Sequence, residues 1–333
     1  MRGVIMGGSG STGSSVLQRI LDRHTRMVAG PELGLFQFPF LYEKWDRYKH
    51  RLAQQNFFGI KSRAFARRNG AKLLHPYYGW NPSDLNRLLT EAPTFPDFVT
   101  LFFQRKLNRS GAEMFVEKTP QNAQGFSEFL KHFPQGRVVH TLRNPYETMA
   151  SLRRRGFPAY VAAGHFVYQT AAAASARGHQ RYTEVEYEQL VGRPTETVRE
   201  LCAFLQLDFE PDMMRPDEAE QREAVKMPGW RAAETDAIRR VDLNKFSRLD
   251  ERAQQEIIAA LQVYQIPKTY LRKWDIRYRN FAELCSVMGF DHRITDVRPF
   301  IKQFQRERER DWLVRSFRFH PTGWWNYPGN LVI

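Results

Sequence analysis

The sequence predicts an α/β protein: a P-loop-like parallel β-sheet flanked by helices, carrying a helical, aromatic-rich insertion and a C-terminal extension. Short apolar steps recur along the chain, each followed by a polar turn and an amphipathic stretch, the alternation that builds a parallel sheet covered by helices. A Gly/Ser/Thr-rich loop, Gly7 to Ser15, separates the first apolar step from a helical pattern. Polar residues then gather just past the apolar steps, where an open parallel sheet binds its ligands.

Taken in order, Gly3-Val4-Ile5-Met6 is the first strand, and Val16-Leu17 with Ile20-Leu21 gives the apolar face of the helix behind the loop. Met27-Val28-Ala29 is a second step, leading into Gly30-Pro31-Glu32. From Leu35 to Ser110 the chain is aromatic-rich and helical in pattern, broken at Pro76, Pro82, Pro93 and Pro96, and is expected to cap one end of the sheet. Met114-Phe115-Val116 is a third strand, followed by a polar turn, Glu117 to Asn122, and a helix from Ala123 to His132. Arg137 to Leu142 is a fourth strand. Asn144-Pro145 stops it, with Pro145 in the opening turn of a helix that runs through Tyr146 to Arg155. An Ala-rich helix follows over Gly164 to Gly178, then a strand at Tyr182 to Glu186 and an amphipathic helix at Pro194 to Leu205. The charged, patternless region from Pro211 to Pro228 reads as a mobile loop, and helix returns from Arg252 to Tyr264. This organisation gives one domain over 1–265, with 35–110 as its insertion, and a basic, aromatic extension over 266–333 packed on it. The extension contains Arg306 to Arg310 and Trp324-Trp325.

A chain of 333 residues with 42% hydrophobic and 14% aromatic residues has ample material for a core. Lys and Arg number 50 against 36 Asp and Glu, a net charge of +14, which favours anionic partners without choosing among them. No apolar run reaches the ~18–20 residues that span a bilayer. Nothing ahead of the first strand resembles a leader, so the expectation is a soluble, cytoplasmic protein. Cys202 and Cys285 read as buried thiols rather than a disulfide. No Asp-rich or His/Cys spacing suggests a metal site. His24, His75, His132, His140 and His165 have no partner pattern and read as structural or surface residues.

A strand, a glycine-rich turn and a helix N-terminus make a phosphate cradle, because backbone N–H groups and the helix dipole both favour an anion there. Gly8-x4-Gly13-Ser14-Ser15 departs from the nucleoside-triphosphatase pattern G-x4-G-K-[ST] at one position, where Ser14 replaces the lysine. The loop therefore suits a phosphate that is not passed on as a γ-phosphoryl group. A second cradle lies further along. Ser151 is eight residues past Arg143, and Arg155 four further on, so Ser151 and Arg155 share a helix face at which Arg143 can aim. Two guanidinium groups and a hydroxyl suit a phosphate monoester. A nucleoside carrying phosphate at both ends fits the pair of cradles. Glu32, at the end of the second apolar step, is the natural general base for a hydroxyl acceptor.

Ser11-Thr12-Gly13-Ser14-Ser15, Glu32, Lys118-Thr119-Pro120, Arg143-Asn144-Pro145, Ser151, Arg155 and Glu186-Tyr187-Glu188-Gln189-Leu190 occur in that order. As an ordered set over residues 3–265 they resemble the sulfotransferases that use 3′-phosphoadenosine-5′-phosphosulfate (PAPS), and are most similar to the tyrosylprotein-sulfotransferase-like and bacterial branch. The resemblance implies that Ser11, Thr12, Gly13, Ser14 and Ser15 hold the 5′-phosphosulfate, and that Arg143, Ser151 and Arg155 hold the 3′-phosphate. Lys118 would contact the bridging region, Tyr187 would lie near the cofactor, and Arg248 would reach the 5′ end. It implies sulfuryl transfer from PAPS to an acceptor hydroxyl without a metal, the acceptor being a saccharide, a small molecule or a tyrosyl peptide, and no nucleic-acid partner. One position departs: the family carries Lys or Arg where Ser11 stands. Lys118 alone, Arg248 in its place, or a loss of activity would each account for that. The competing readings are a P-loop kinase or nucleoside triphosphatase, and a non-catalytic basic protein that binds nucleic acid or another polyanion.

Overall fold

The computed structural model describes residues 1–30, 32–53, 78, 80–215 and 243–318. Pro31, the 54–65 part of the aromatic stretch, His75, Pro76, residues 216–228 of the charged segment and Trp324-Trp325 lie outside the described residues. Five strands, β1 (Arg2–Gly8), β2 (Met27–Val28), β3 (Met114–Lys118), β4 (Gly136–Leu142) and β5 (Tyr182–Glu186), form one sheet in the order β2-β3-β1-β4-β5. Every pairing is parallel. The molecule is thus α/β with the parallel sheet the sequence predicts. Val4, Ile5 and Met6 in β1 are fully buried, as a strand covered on both faces requires. The chain leaves β1 toward β2 on one side and reaches β4 and β5 on the other. The carboxyl end of β1 is therefore the switch point at which such sheets open a crevice.

On one face, α1 (Ser14–Asp22) packs Leu17, Ile20 and Leu21 against Val4, Met6, Val116 and Val139. The other face carries the described part of the insertion: α2 (Phe40–Glu43), α3 (Trp45–Tyr48), α4 (Pro82–Glu91) and α5 (Phe95–Ser110). Helix α5 starts where the Thr94 side chain accepts from Asp97 N–H at 3.2 Å, and it ends at Gly111 in the left-handed region (φ 70°). Phe103 stacks on Phe115 of β3 with centroids 4.1 Å apart. The insertion thus lies on the face of the sheet, where the sequence reading had put it at one end. The reason is its run of large aromatic side chains, which bury most area against another apolar surface.

After β3 a 3-10 stretch, Pro120–Gly125, precedes α6 (Phe126–His132), so the helix expected from Ala123 begins three residues later. The chain is pinned there. Asn122 donates to Met6 O (3.3 Å) and Glu117 O (3.2 Å), and a Cβ on Gly125 would lie 1.7 Å from Phe36 O. Helix α7 (Pro145–Arg154) follows β4, and α8 runs from Ala159 to Ala174. Pro158 starts α8 earlier than the Gly164 expected from sequence. All sixteen residues of α8 are buried, since a helix apolar all round belongs in a core. Behind β5 come α9 (Tyr187–Gly192) and α10 (Pro194–Leu205), and after the undescribed segment α11 (Glu251–Val263). The C-terminal extension supplies α12 (Lys268–Lys273), α13 (Phe281–Met288) and α14 (Ile301–Arg318). Phe281, Leu284, Phe300 and Phe304 of the extension share one core with α8 and α11. Cys202 and Cys285 are free, buried thiols.

Candidate active site

The loop between β1 and α1 takes its shape from three residues in the left-handed region: Gly8 (φ 141°), Ser11 (φ 71°) and Gly13 (φ 79°). At Gly13 space matters as well as dihedral, since a Cβ there would lie 2.3 Å from the Tyr187 ring. Thr12 turns inward. Its hydroxyl donates to Ser9 O and lies 2.8 Å from Thr141 Oγ1 on β4. That hydroxyl braces the loop, so only the backbone of Thr12 is offered to a ligand. Val16 and Leu17 N–H both go to Gly13 O, leaving the N–H groups of Ser14 and Ser15 at the open mouth of α1. No acidic residue stands in that first turn, so the helix end stays attractive to an anion.

Two groups of side chains meet this loop, one at each end. At Ser15, Lys118 from the end of β3 donates to the Ser15 hydroxyl (3.0 Å) and to Glu32 Oε1 (2.5 Å). The proposed base and the proposed cation are therefore an ion pair. Lys118 is 3% exposed. Burial is the main force lowering its pKa, to about 7; the Glu117 carboxylate opposes, and Arg19 and Arg155 add to the lowering. Arg19 lies one turn into α1 with its Nε 3.4 Å from Ser15 O, its own pKa lowered by burial and by Arg23. Lys118 is the last residue of β3, not part of a turn as the sequence suggested, because Met6 of β1 pairs with it in register.

Glu32 is held from both sides. Gln18 of α1 donates to Ala29 O (2.7 Å) and Gly30 O (2.8 Å) just before it. Just after it, Leu33 N–H (2.8 Å) and Gly34 N–H (3.3 Å) donate to Glu117 Oε1. Glu117 is fully buried and also accepts from the Thr119 hydroxyl (2.6 Å) and the Asn122 amide. Consecutive strand residues face opposite ways. Glu117 thus grips the 33–34 backbone while its neighbour Lys118 meets the Glu32 carboxylate.

At the other end of the loop, Arg143 donates to Ser11 O (3.3 Å) and Arg155 to Ser11 Oγ (3.0 Å). The Arg143 guanidinium lies 4.6 Å from the Tyr187 ring centre, so Tyr187 is wedged between Arg143 and Gly13. Burial raises the Tyr187 pKa first, Arg143 works against it, and Glu188 adds to the rise. Arg155 is the C-cap of α7, one residue beyond the helix. Its approach to Ser11 comes from the turn there, not from the shared helix face expected with Ser151. Ser151 itself is half-buried on α7. Glu147, one turn after Arg143, sits 3.5 Å from its guanidinium and accepts from Lys245 N–H (2.9 Å) and Phe246 N–H (3.0 Å). Arg248 is exposed in the turn after Phe246, which Glu147 anchors beside Arg143.

Sequence reasoning missed Arg19, Gln18, Glu117 and Glu147. Arg19 and Glu147 could have been found, each standing four residues past a predicted site residue on a helix. Among the described residues no group of three or more His, Cys, Asp or Glu side chains could hold a metal ion, and no helix is long and apolar enough to cross a membrane.

Among solved structures the chain is similar to the sulfotransferase domain of the Synechococcus PCC 7002 olefin synthase. The TM-score is 0.53 at 18% identity, covering 80% of this chain and 96% of that one. It is also similar to the sulfotransferase domain from the curacin biosynthetic pathway, with a TM-score of 0.53 at 16% identity, covering 88% of this chain and 99% of that one. At these identities the likeness is one of fold. A search of curated proteins gives no match. The sulfotransferase family model matches residues 3–211, more than half of the sequence, and the chain belongs to that family.

Proposed function

We propose that this protein transfers the sulfuryl group of PAPS to a hydroxyl of a saccharide or small-molecule acceptor. The observation that carries the reading is that one phosphate-cradle loop has an arginine pair on Ser11 at one end and the Lys118–Glu32 pair by Ser15 at the other. Family membership supports sulfotransfer, while the donor rests on this constellation. Residues Ser11 to Ser15 would hold the 5′-phosphosulfate through backbone N–H groups. Arg143, Arg155 and Ser151 would hold the 3′-phosphate, with Tyr187 stacked under Arg143 to fix its fork. The insertion rings Phe95, Phe98, Phe102 and Phe103 are fully buried. These four rings therefore pack the core rather than meet an acceptor.

When bound, PAPS supplies an activated sulfuryl group: a new S–O bond forms to the acceptor oxygen as the S–O bond to the phosphate breaks. Glu32 takes the acceptor's proton, and Lys118, with its ammonium beside Ser15, neutralises charge growing on the leaving phosphate. The contact between them places both groups beside Ser15, where phosphosulfate would take over as the partner of Lys118. Ser11 provides no charge of its own, but Arg155 rests on its hydroxyl, so the loop is not without a cation.

Thermal unfolding with adenosine 3′,5′-bisphosphate tests the donor. Ligand at 100 times its Kd stabilises a one-site protein by about 2.7 kcal/mol. A shift with the bisphosphate and none with ATP–Mg²⁺ is expected. The reverse result would return the chain to the nucleoside-triphosphatase reading.

A further inference from the structure

The amino ends of β1, β4 and β5 lie at the far end of the sheet from the Ser11–Ser15 loop. There Arg2, Arg137 and Arg181, with Gln135, Gln180 and Gln206, line a cavity of about 480 Å³. Two of these arginines finish helices. Arg2 donates to Leu205 O and Gln206 O at the end of α10, and Arg181 to Leu130 O and Phe133 O (2.6 Å) at the end of α6 and to Gly136 O (2.8 Å) at the start of β4. Carbonyl dipoles hold a guanidinium but cancel only part of its charge. Arg2 also pairs with Glu113, a carboxylate that Arg26 shares.

Arg137 is different. Among the described residues no carboxylate pairs with it, and its side-chain contact is the face of Phe204, 5.7 Å from the ring centre. Pairing of Val4 with Arg137 and of Val138 with Tyr182 sets it between β1, which carries Arg2, and β5, which Arg181 immediately precedes. Partial burial, then Arg2, then Arg181 all weaken its hold on its proton, which a guanidinium nevertheless keeps. Among the described residues no acidic residue lines the cavity. Three like charges face one half-open space with a single shared carboxylate at its edge. The glutamine amides there can meet hydroxyl groups as donors or acceptors. The volume falls in the small-ligand range and exceeds what one bare phosphate fills.

We infer that this cavity is a second anion site, separate from the Ser11–Ser15 loop, which takes the phosphate ester of a small polyhydroxyl compound. Calorimetric titration of the full chain with glucose 6-phosphate tests it, with glucose and inorganic phosphate as controls. Glucose 6-phosphate is expected to bind at least roughly tenfold more tightly than inorganic phosphate, and Arg137→Gln to weaken it roughly tenfold. Gln180→Ala should weaken it about threefold, the loss of one hydrogen bond, and Arg143→Ala should leave it unchanged. Unaltered affinity in Arg137→Gln, or loss of binding in Arg143→Ala, overturns the assignment. Should the glutamine variant fail to fold, Arg137→Lys keeps the charge without the fork. A drop of about threefold then supports the site, and no change refutes it.

Discussion

At the carboxyl end of the sheet, Arg143 is packed between the Tyr187 ring and the Ser11 carbonyl and is answered by Glu147. At the amino end, Arg137 lies between β1 and β5, with no acidic residue among the described ones lining its cavity. Both ends gather arginines on a chain of net charge +14, but at the amino end the paired carboxylate, Glu113, answers Arg2 and Arg26 and not Arg137. Glu147 joins Arg143 to the 245–246 backbone, and Glu117 joins β3 to the backbone that follows Glu32. The difference teaches what separates a reaction site from an anion-attracting surface. Catalysis needs charges fixed in place before the substrate arrives, and a buried acid accepting several N–H bonds fixes them. Binding an anion tolerates charges that are less tightly fixed, and their attraction weakens with salt.

The largest effect expected separates chemistry from binding. Glu32→Gln should lower turnover by about 10²–10⁴-fold, the usual contribution of a positioned base, while adenosine 3′,5′-bisphosphate still stabilises the variant. Sulfuryl transfer and thermal unfolding measured on one preparation check both halves. Unaltered turnover would remove Glu32 from the reaction. Glucose 6-phosphate binding at the other end of the sheet should not change.

A smaller effect tests whether buried acids do the positioning. Glu117 touches none of the loop residues assigned to the donor, but Leu33, Gly34, Thr119 and Asn122 all donate to it. Glu117→Gln replaces one accepting oxygen with an N–H donor and leaves at least one of those groups unmet, at a stability cost of about 1–3 kcal/mol. Turnover should fall about tenfold through a displaced Glu32, a 1.4 kcal/mol rise in barrier. KM for the donor should stay within about twofold, since uniform binding is untouched. A purely structural role predicts the stability loss without the fall in kcat. Stability by denaturant titration and the separate kcat and KM distinguish the two.

Much of this was legible in the sequence because it is local. The glycine loop, the strand before it and the helix behind it follow from consecutive residues, as do the stop at Asn144-Pro145 and the spacing from Arg143 to Ser151. What escaped depends on contacts across the fold. Glu117 looks like a polar turn residue until β1 pairs with β3 and draws it into the sheet. The insertion reads as a cap until its phenylalanines find Phe115 and Ile5 on the sheet face. Arg137 looks like any strand-opening arginine, and only the parallel register sets Arg2 and Arg181 on either side of it.

The smallest effect follows from what kind of cation each end uses. The proposed reaction end carries a lysine whose pKa burial has brought down to about 7, from an ordinary 10.5. The amino end depends on guanidinium groups, which stay charged throughout the accessible range. As pH rises through about 7, Lys118 loses the charge that stabilises the leaving phosphate, so turnover should fall about fourfold between pH 6 and pH 7.5, as a single group of that pKa titrates. Stability should move the opposite way. Between about pH 7 and 10.5 the unfolded chain binds a proton at this lysine that the folded one has released, so the contribution of Lys118 to stability rises with pH across that window. Lys118→Arg should remove both trends, and glucose 6-phosphate binding should be identical in wild type and Lys118→Arg at each pH. Turnover that falls above pH 7 identically in wild type and Lys118→Arg would mean that another group titrates. Opposed slopes of activity and stability, both abolished by one substitution, would tie the catalytic charge to this single buried lysine.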